Sequence, residues 1–569
     1  MRRKRILTRP LPEAADSLNR LHPVLRRVYL ARGVRSEEDL DYALARLPPP
    51  ACLPGIEALT AQLAAALVKQ KRILVVGDYD ADGACGCALA VQGLRALGAK
   101  YVDFLVPDRF RFGYGLTPAL VEAALARRPE VLLTVDSGTA CLAGVEAAKA
   151  KGLRVLITDH HLPGPRLPAA DAIVNPKLGE GPLGQLAGVG VMFYALCALR
   201  ARLRKEGWFA RQGVPEPKLS RWLDLVALGT VADVVPLDGV NRILVHQGLQ
   251  RLRAGRGNLG LLALAEVAGC RLESLSAQDL GFALAPRLNA AGRLEDMSLG
   301  IRCLLAKDLA SARALAQQLD ALNRQRRAIQ AQMQAAAFAL VDALDLEAPG
   351  TCLFDPNWHE GVVGVLAGRI RDRLGRPAIA FAPGRDGNLK GSARSIPEIH
   401  IRDLIAEIDA LRPGLILRYG GHARAAGVTL RAESYAEFAA LFSERLAVKL
   451  RDLVPQDVIY TDGSLDAADF SLPLAESLRA AGPWGPGFPE PLFCGEFEVR
   501  RATWVKDRHL KLSLRPPGGP WVEAIAFDPA EPGAFFACRQ LRLAYRLTVD
   551  EFRGARGVQL QADYLEPIG

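Results

Sequence analysis

Aspartate and histidine recur in three short loops, each directly behind a run of strand-forming residues: GDYDADG at 77–83 after ILVV, DSG at 136–138 after VLLTV, and DHH at 159–161 after RVLIT. In an open parallel sheet, ligands collect outside the carboxyl ends of the strands, so Asp78, Asp80, Asp82, Asp136, Asp159, His160 and His161 can reach one crevice. A lone Asp behind a strand is a turn former or a helix cap. Three such loops in succession point instead to a shared site. Carboxylates crowded this closely raise one another's pKa values unless divalent cations offset their charge. Oxygen donors with one or two imidazoles and no thiolate pair suit Mn²⁺ first and Mg²⁺ as the alternative, rather than structural zinc. Asp80 and Asp82 stand two apart, which predicts both side chains on one side of an extended turn, and a bridging carboxylate elsewhere then allows a second ion. A pair of ions roughly 3.5–4 Å apart activates water and stabilises both attacking and leaving oxygens, which is phosphoryl chemistry. Asp78 and Asp159 remain open between ligand and support, and Asp159 is placed to orient an imidazole from behind. Asp224 lies inside the apolar run LDLVALGTVAD, where a buried carboxylate must serve a metal or a buried partner.

These loops need elements to carry them. From 51 to 305, apolar strand-like runs alternate with Ala/Leu-rich stretches such as 84–98, 117–127 and 139–151, which predicts a parallel sheet covered by helices. A helix expected to begin beside Gly83 aims its positive end at the site. Residues 1–50 read as a lead-in ending in the Pro-rich 47–50. Residues 306–345 contain neither Gly nor Pro, and Leu315, Leu319, Leu322, Ile329 and Met333 recur at helical spacing. That predicts a connecting helix whose stripe faces a core rather than a second chain, because charges such as Arg326 interrupt the seam. Residues 346–452 read as a second α/β unit. Within it, NWHEGVVG and GGHARAAG set His359, His422 and Arg424 in Gly-rich turns, where backbone N–H groups can approach a phosphate. From 453 to 569, short β-like runs separated by turn residues predict a small barrel.

The DHH triplet with GDYDADG resembles the DHH phosphoesterase superfamily. VPDRFRFGYGL (106–116), LDLVALGTVADVVPL (223–237), PRLNAAGR (286–293), NWHEGVVG (357–364) and GGHARAAG (420–427) extend the resemblance to its RecJ branch over most of the chain, and that ordered series is far more specific than the triplet. The resemblance implies a parallel-sheet α/β catalytic domain, a smaller α/β DHH-associated domain closing a cleft over it, and an OB-fold that grips single-stranded DNA. It implies hydrolysis of single strands 5′ to 3′ into mononucleotides, in repair and recombination, by two metal ions. By it Asp80, Asp82, Asp136 and His160 are ligands, Asp224 is the additional or bridging carboxylate with Asp233 the alternative, and His161 acts near the scissile phosphate together with Asp82 and Asp136. Arg373, Arg394, Ser395, His422 and Arg424 are expected on phosphates, with Arg109 on the terminal phosphate or the backbone from the opposite wall. Tyr114 stacks on a base or is a core aromatic. Arg287, Asn289 and Arg293 shape the cleft or form structural salt bridges. Trp504, Lys506, His509 and Lys511 are expected strand contacts on the barrel, whose lead-in GPWGPGFPEPLF departs from the family's wording. Two other readings stand beside this one: a DHH phosphodiesterase of short RNAs or cyclic dinucleotides, which needs no terminal barrel, and a non-catalytic DNA-binding scaffold, which is expected to lack several of the ligands found here.

Composition agrees with a multidomain enzyme acting on a polyanion. The 569 residues carry a net charge of +10, so the Lys and Arg surplus lies away from the acidic cluster. Ten scattered cysteines, with Cys85 and Cys87 the closest pair and no C-x-x-C, predict reduced thiols. The start MRRKRILTRP lacks the apolar stretch of a secretory signal, and no run of eighteen apolar residues follows, so a cytoplasmic monomer without a membrane span is expected. A single-strand-binding protein and a helicase are partners in keeping with the resemblance. There is no G-x-x-x-x-G-K-[ST] loop, HEGVV lacks a zincin's second His, and the G-x-G at Gly188 and Gly190 lacks a third Gly, which disfavours kinases and dehydrogenases.

Overall fold

The computed structural model describes residues 4–568 apart from 13–17, 110, 343–348, 385, 452–457, 507–508, 528, 530–534, 537 and 552–555. The first domain is built on five parallel strands in the order Val102–Leu105, Ile73–Val76, Val131–Val135, Arg154–Thr158, Ala172–Val174. The central strands Ile73–Val76 and Val131–Val135 are buried on both faces, which is why they read as apolar runs, whereas the edge strand Val102–Leu105 exposes Asp103. Val75, Leu133 and Leu156 face one core, while Leu74, Leu132 and Val155 face another. The chain runs outward from Ile73–Val76 to Val102–Leu105 and then crosses back to Val131–Val135. That reversal opens a crevice at the carboxyl ends of the two central strands, where Asp78–Asp82 and Asp136 emerge. The helix after the first loop spans Ala81–Ala96, so it begins earlier than Gly83. Asp80 is its N-cap, accepting the Gly83 N–H at 3.0 Å, and Asp82 lies in its first turn rather than in an extended one.

Gly188–Lys205 and Leu223–Ala232 pack against this helix. The connecting helix spans Leu309–Asp342 and has two buried halves. Ala312, Ala316, Leu319 and Leu322 join the catalytic core, and Met333, Ala337 and Val341 join the core of the second unit. The expected end of this helix at 345, and the unit boundaries near 346 and 452–453, lie outside the described residues.

The second unit carries a mixed sheet in the order Ile416–Gly421, Ala425–Leu430, Leu389–Arg394, Ala378–Pro383, Thr351–Phe354, with only the last pair parallel. The C-terminal strands Phe493–Val505, His509–Arg515, Val522–Ala526, Gly557–Pro567 and Gln540–Asp550 close into a barrel in that order. The lead-in is no separate piece. Arg5–Thr8 pairs in parallel with Val458–Thr461, and Tyr29 packs beside Trp484 and Phe488. Among the described residues no single helix is long and apolar enough to cross a membrane, and the ten cysteines are free.

Candidate active site

The three loops meet. Ligand atoms of Asp136, His160 and His161 lie within 4.8 Å of one another, as do those of Asp82, His160 and Asp233, and those of Asp78, Asp80 and Asp136. The last two groups are joined through Asp136 and His160, whose Oδ1 and Nε2 are 3.1 Å apart, and His160 Nε2 is 3.5 Å from Asp233 Oδ2. Asp78 Oδ1, Asp136 Oδ1 and His160 Nε2 are all buried without a hydrogen-bond partner. Buried polar atoms are rarely left so, and three aimed at one small volume fit coordination by cations. Asp136 is held at φ +64, a left-handed conformation uncommon outside Gly and one that marks functional positions.

Electrostatics agree. Burial, then the Asp80 charge, pushes the Asp82 carboxyl up; burial, then Asp82, raises Asp136 and Asp233. Asp78 is raised by burial and by Asp80. Burial, with His161 nearby, lowers His160 to about 4, leaving a neutral imidazole able to ligate. Asp159 differs from the other acids. Burial works to raise it, but the His161 hydrogen bond and charge and the Thr139 N–H hold it at about 2. It accepts from the His160 and His161 N–H groups at 2.8 and 3.1 Å and lies 2.8 Å from His161 Nδ1, so it orients the pair from behind. Asn175 steadies the same turn by donating to the His161 carbonyl at 2.8 Å.

Asp224 lies outside all three groups. It is fully buried on helix Leu223–Ala232, and its carboxylate accepts the N–H groups of Leu225 and Asn258. It therefore joins two helices, and the additional carboxylate at the cluster is Asp233, at the other end of the same helix.

The other expected contact residues have partners within the protein. Arg287 pairs with Asp320 at 2.9 Å and ties the catalytic domain to the connecting helix. Asn289 accepts the Ala81 N–H at 2.8 Å and so pins the loop that carries Asp80 and Asp82. The Ser395 hydroxyl is buried and donates to the Ile399 carbonyl. Arg373 pairs with Asp342 and lies 4.4 Å from the Phe338 ring, against the connecting helix. The Tyr114 hydroxyl lies 3.1 Å from His161 Nδ1 and donates to the Asp136 carbonyl at 3.3 Å, so its polar end faces the cluster.

The cleft wall is cationic. Arg293 is lowered to about 10 by burial and by the charges of Arg109, Arg326 and Arg394, and it donates to the Gly361 carbonyl of the second unit at 3.3 Å. Arg109 lies 4.7 Å from the Tyr79 ring centroid. His359 Nδ1 accepts the Gly361 N–H at 3.0 Å, and His422 and Arg424 are exposed on the second unit, His422 within the electrostatic reach of His161. On the barrel, Trp504 is exposed with its ring 5.6 Å from that of Phe536, Lys506 is exposed, His509 stacks edge-on with Phe527, and Lys511 pairs with Glu523.

Sequence reasoning missed the support of Asp82 and Asp136. Both Asp82 oxygens accept from the start of helix Gly188–Lys205, from Gly188 N–H at 2.7 Å and Val189 N–H at 3.0 Å. A Cβ on Gly188 would stand 2.5 Å from Asp136 Oδ1, and one on Gly229 2.6 Å from Asp82 Oδ1. The available signal was GVGV opening an apolar helix, read only as an incomplete dinucleotide loop.

A parallel sheet with acids and imidazoles crowded at its reversal point, faced by a second α/β unit, defines a DHH-type protein. The DHH family N-terminal domain matches residues 72–230, the DHHA1 domain 339–448 and the RecJ OB domain 461–564. The chain is 48% identical over 98% of its length to the single-stranded-DNA-specific exonuclease RecJ of Dickeya dadantii, covering 97% of that protein. It is 47% identical to that of Escherichia coli, covering 98% of each chain. The solved structure of RecJ in complex with Mn²⁺ from Thermus thermophilus is similar at TM-score 0.81 and 33% identity, over 100% of this chain and 80% of that one. The chain belongs to the RecJ family.

Proposed function

We propose that the chain is a metal-dependent exonuclease that degrades single-stranded DNA from the 5′ end to mononucleotides, in repair and recombination. The observation that carries this is the pair of carboxylate groups joined through Asp136 and His160 at the sheet's reversal point, in a chain related to RecJ over its whole length. Asp80, Asp82, Asp136, His160 and Asp233, with Asp78 beside them, would hold two Mn²⁺ ions, or Mg²⁺ in their place. Such ions lower the pKa of water and offset charge on the phosphate in transfer. Asp159 and Tyr114 hold His161 toward the scissile phosphate. Arg109, Arg293, Arg394, His359, His422 and Arg424 receive the strand's phosphates, while Trp504 and Lys506 take the trailing strand on the barrel. We assign catalysis to residues 51–305, strand capture to 346–452 and the barrel to 453–569, with 306–345 connecting them and the lead-in packed beside the barrel. We further propose a cytoplasmic monomer working with a single-strand-binding protein and a helicase.

The test uses single strands labelled at the 5′ or 3′ end, with duplex and RNA controls, in Mn²⁺, Mg²⁺ or chelator. The 5′ label is expected to leave first as mononucleotide, only with metal, and Asp82→Ala or His160→Ala is expected to abolish release while strand binding persists. Full activity in either variant, or preference for dinucleotides over long strands, would overturn the reading.

A further inference from the structure

A cavity of about 250 Å³ lies where the barrel meets the catalytic helices, and none of its lining residues belongs to the metal cluster or to the arginine wall of the cleft. Helix Gly239–Arg253 supplies one side, helix Leu472–Ala480 with Trp484 a second, and barrel strand Gln540–Asp550 a third. The volume is near the lower end for small-molecule sites, roughly 300–1,000 Å³, which suits one nucleotide and not a strand. Leu249, Ala475 and Leu478 are buried and make much of the lining apolar.

The polar part of the lining is mostly cationic. Arg253, Arg479 and Arg546 come to it from three different elements, with His246 beside them. Arg479 has an acid of its own in Glu551 at 3.2 Å, and Arg546 has Glu490 and Asp563 at 3.1 and 2.6 Å. Arg253 does not. Its Nε donates to the Leu275 carbonyl at 2.8 Å, and among the described residues it forms no ion pair. Asp279, the acid whose charge reaches it, already accepts from the Ser276 N–H and hydroxyl at 2.8 and 2.7 Å. Burial and the Arg479 charge both lower Arg253, and burial and the Arg253 charge lower His246. A partly buried guanidinium beside a second one, with no counter-ion, is costly, and an anion in the cavity relieves that cost.

We propose that this cavity binds a nucleoside monophosphate, its phosphate on Arg253 and Arg479 and its base against Leu249 and Leu478. A guanidinium fork matches two phosphate oxygens, and the apolar lining takes the flat remainder of the ligand. The source of the ligand rests on the exonuclease reading, since degradation of a strand releases mononucleotides at the neighbouring crevice; the site itself does not. Because the walls come from the catalytic helices and from the barrel, an occupied cavity ties the two together, so product acts on the joint between them.

Calorimetry of the full chain with deoxycytidine 5′-monophosphate, in chelator so that no divalent ion recruits phosphate to the crevice, tests this. Binding at one site is expected, with deoxycytidine about tenfold weaker or worse for want of the phosphate. Arg253→Gln, whose amide can keep the Leu275 hydrogen bond, and Arg479→Gln, which is 35% exposed, are each expected to weaken the nucleotide about tenfold, and Arg253→Lys less, since it keeps the charge without the fork. Arg109→Ala, in the crevice wall, is expected to bind as wild type does. The nucleotide is expected to raise the melting temperature of wild type and of Arg109→Ala but not of Arg253→Gln, a difference that a merely structural Arg253 would not produce. Equal binding by wild type and both Gln variants, loss in Arg109→Ala instead, or no binding at all overturns the inference. Strands left uncut in Mn²⁺ by a chain that binds the nucleotide in chelator would overturn the exonuclease reading and leave the site standing, whereas cleavage without such binding overturns the site alone.

Discussion

Asp224 and Asp233 sit on one ten-residue helix and its cap, the first fully buried and the second partly exposed, in one apolar run, yet they do different work. Asp233→Asn is expected to cut Mn²⁺-dependent cleavage on the order of 100-fold while raising the melting temperature in chelator, because it removes one of several repelling acids. Asp224→Ala strands the Asn258 N–H and is expected to cost about 1–3 kcal/mol of stability while metal titration still finds the full complement of ions. Reversed outcomes would return the ligand role to Asp224. The cluster also sets a pH dependence. An unfolded Asp ionises near 3.9 and an unfolded His near 6.5, whereas in the metal-free fold Asp82 and Asp233 are pushed up to about 7 and about 9, and His161, through Asp159, to about 9. Above about pH 6.5 the folded state therefore binds more protons than the unfolded one, and stability falls as pH rises toward 9. His160 acts in the opposite sense, but only between about 4 and 6.5. Melting curves in chelator are expected to drop between pH 7 and 9, and Mn²⁺, taking the protons' place, to remove the drop; a flat profile in chelator would contradict the repulsion described here.

At the level of elements, the parallel sheet, its alternation with helices, the connecting helix and the terminal barrel were all legible, because each depends on local periodicity that survives in one sequence. The convergence of GDYDADG, DSG and DHH was legible for the same reason, since three strands of one sheet deliver their carboxyl ends to one side. Choosing between Asp224 and Asp233 was not, since helical phase relative to a distant loop is a tertiary property. The partners of Arg373 and Ser395 were hidden likewise, 31 and 4 residues away, while for Arg287 a salt bridge was legible but not its partner, 33 residues away. Gly188 shows how much an unremarkable residue can carry. At a helix start Ala is intrinsically better than Gly by up to about 1 kcal/mol, so Gly188→Ala would be neutral or stabilising if packing were indifferent. With Asp136 Oδ1 2.5 Å from the new Cβ, the acid must move, and Mn²⁺ affinity is expected to fall on the order of tenfold with little change in thermal stability. Metal-binding calorimetry beside a melt separates the two, and unchanged affinity would show that Asp136 tolerates the shift.

Across the whole molecule, the lead-in clasps the segment that leads into the barrel. Arg32 donates to both Asp462 oxygens at 2.7 and 2.9 Å and to the Pro489 carbonyl at 2.7 Å, with 1% of its side chain and none of Asp462's exposed. This non-local clasp, 430 residues apart in sequence, is why a lead-in that looks separable is not. Replacing a buried ion pair as a unit can be nearly neutral, but removing one partner leaves the other charged and dry, at about 3–5 kcal/mol. Arg32→Ala is therefore expected to split the calorimetric transition, the barrel melting before the catalytic domain, whereas Arg32→Met with Asp462→Leu recovers most of the loss. Mn²⁺ still binds the catalytic domain in Arg32→Ala, so cleavage of very short strands persists while long strands, which need the barrel, are degraded more slowly. A single transition at the wild-type temperature, or equal losses on short and long strands, would mean that the clasp does not set the position of the barrel.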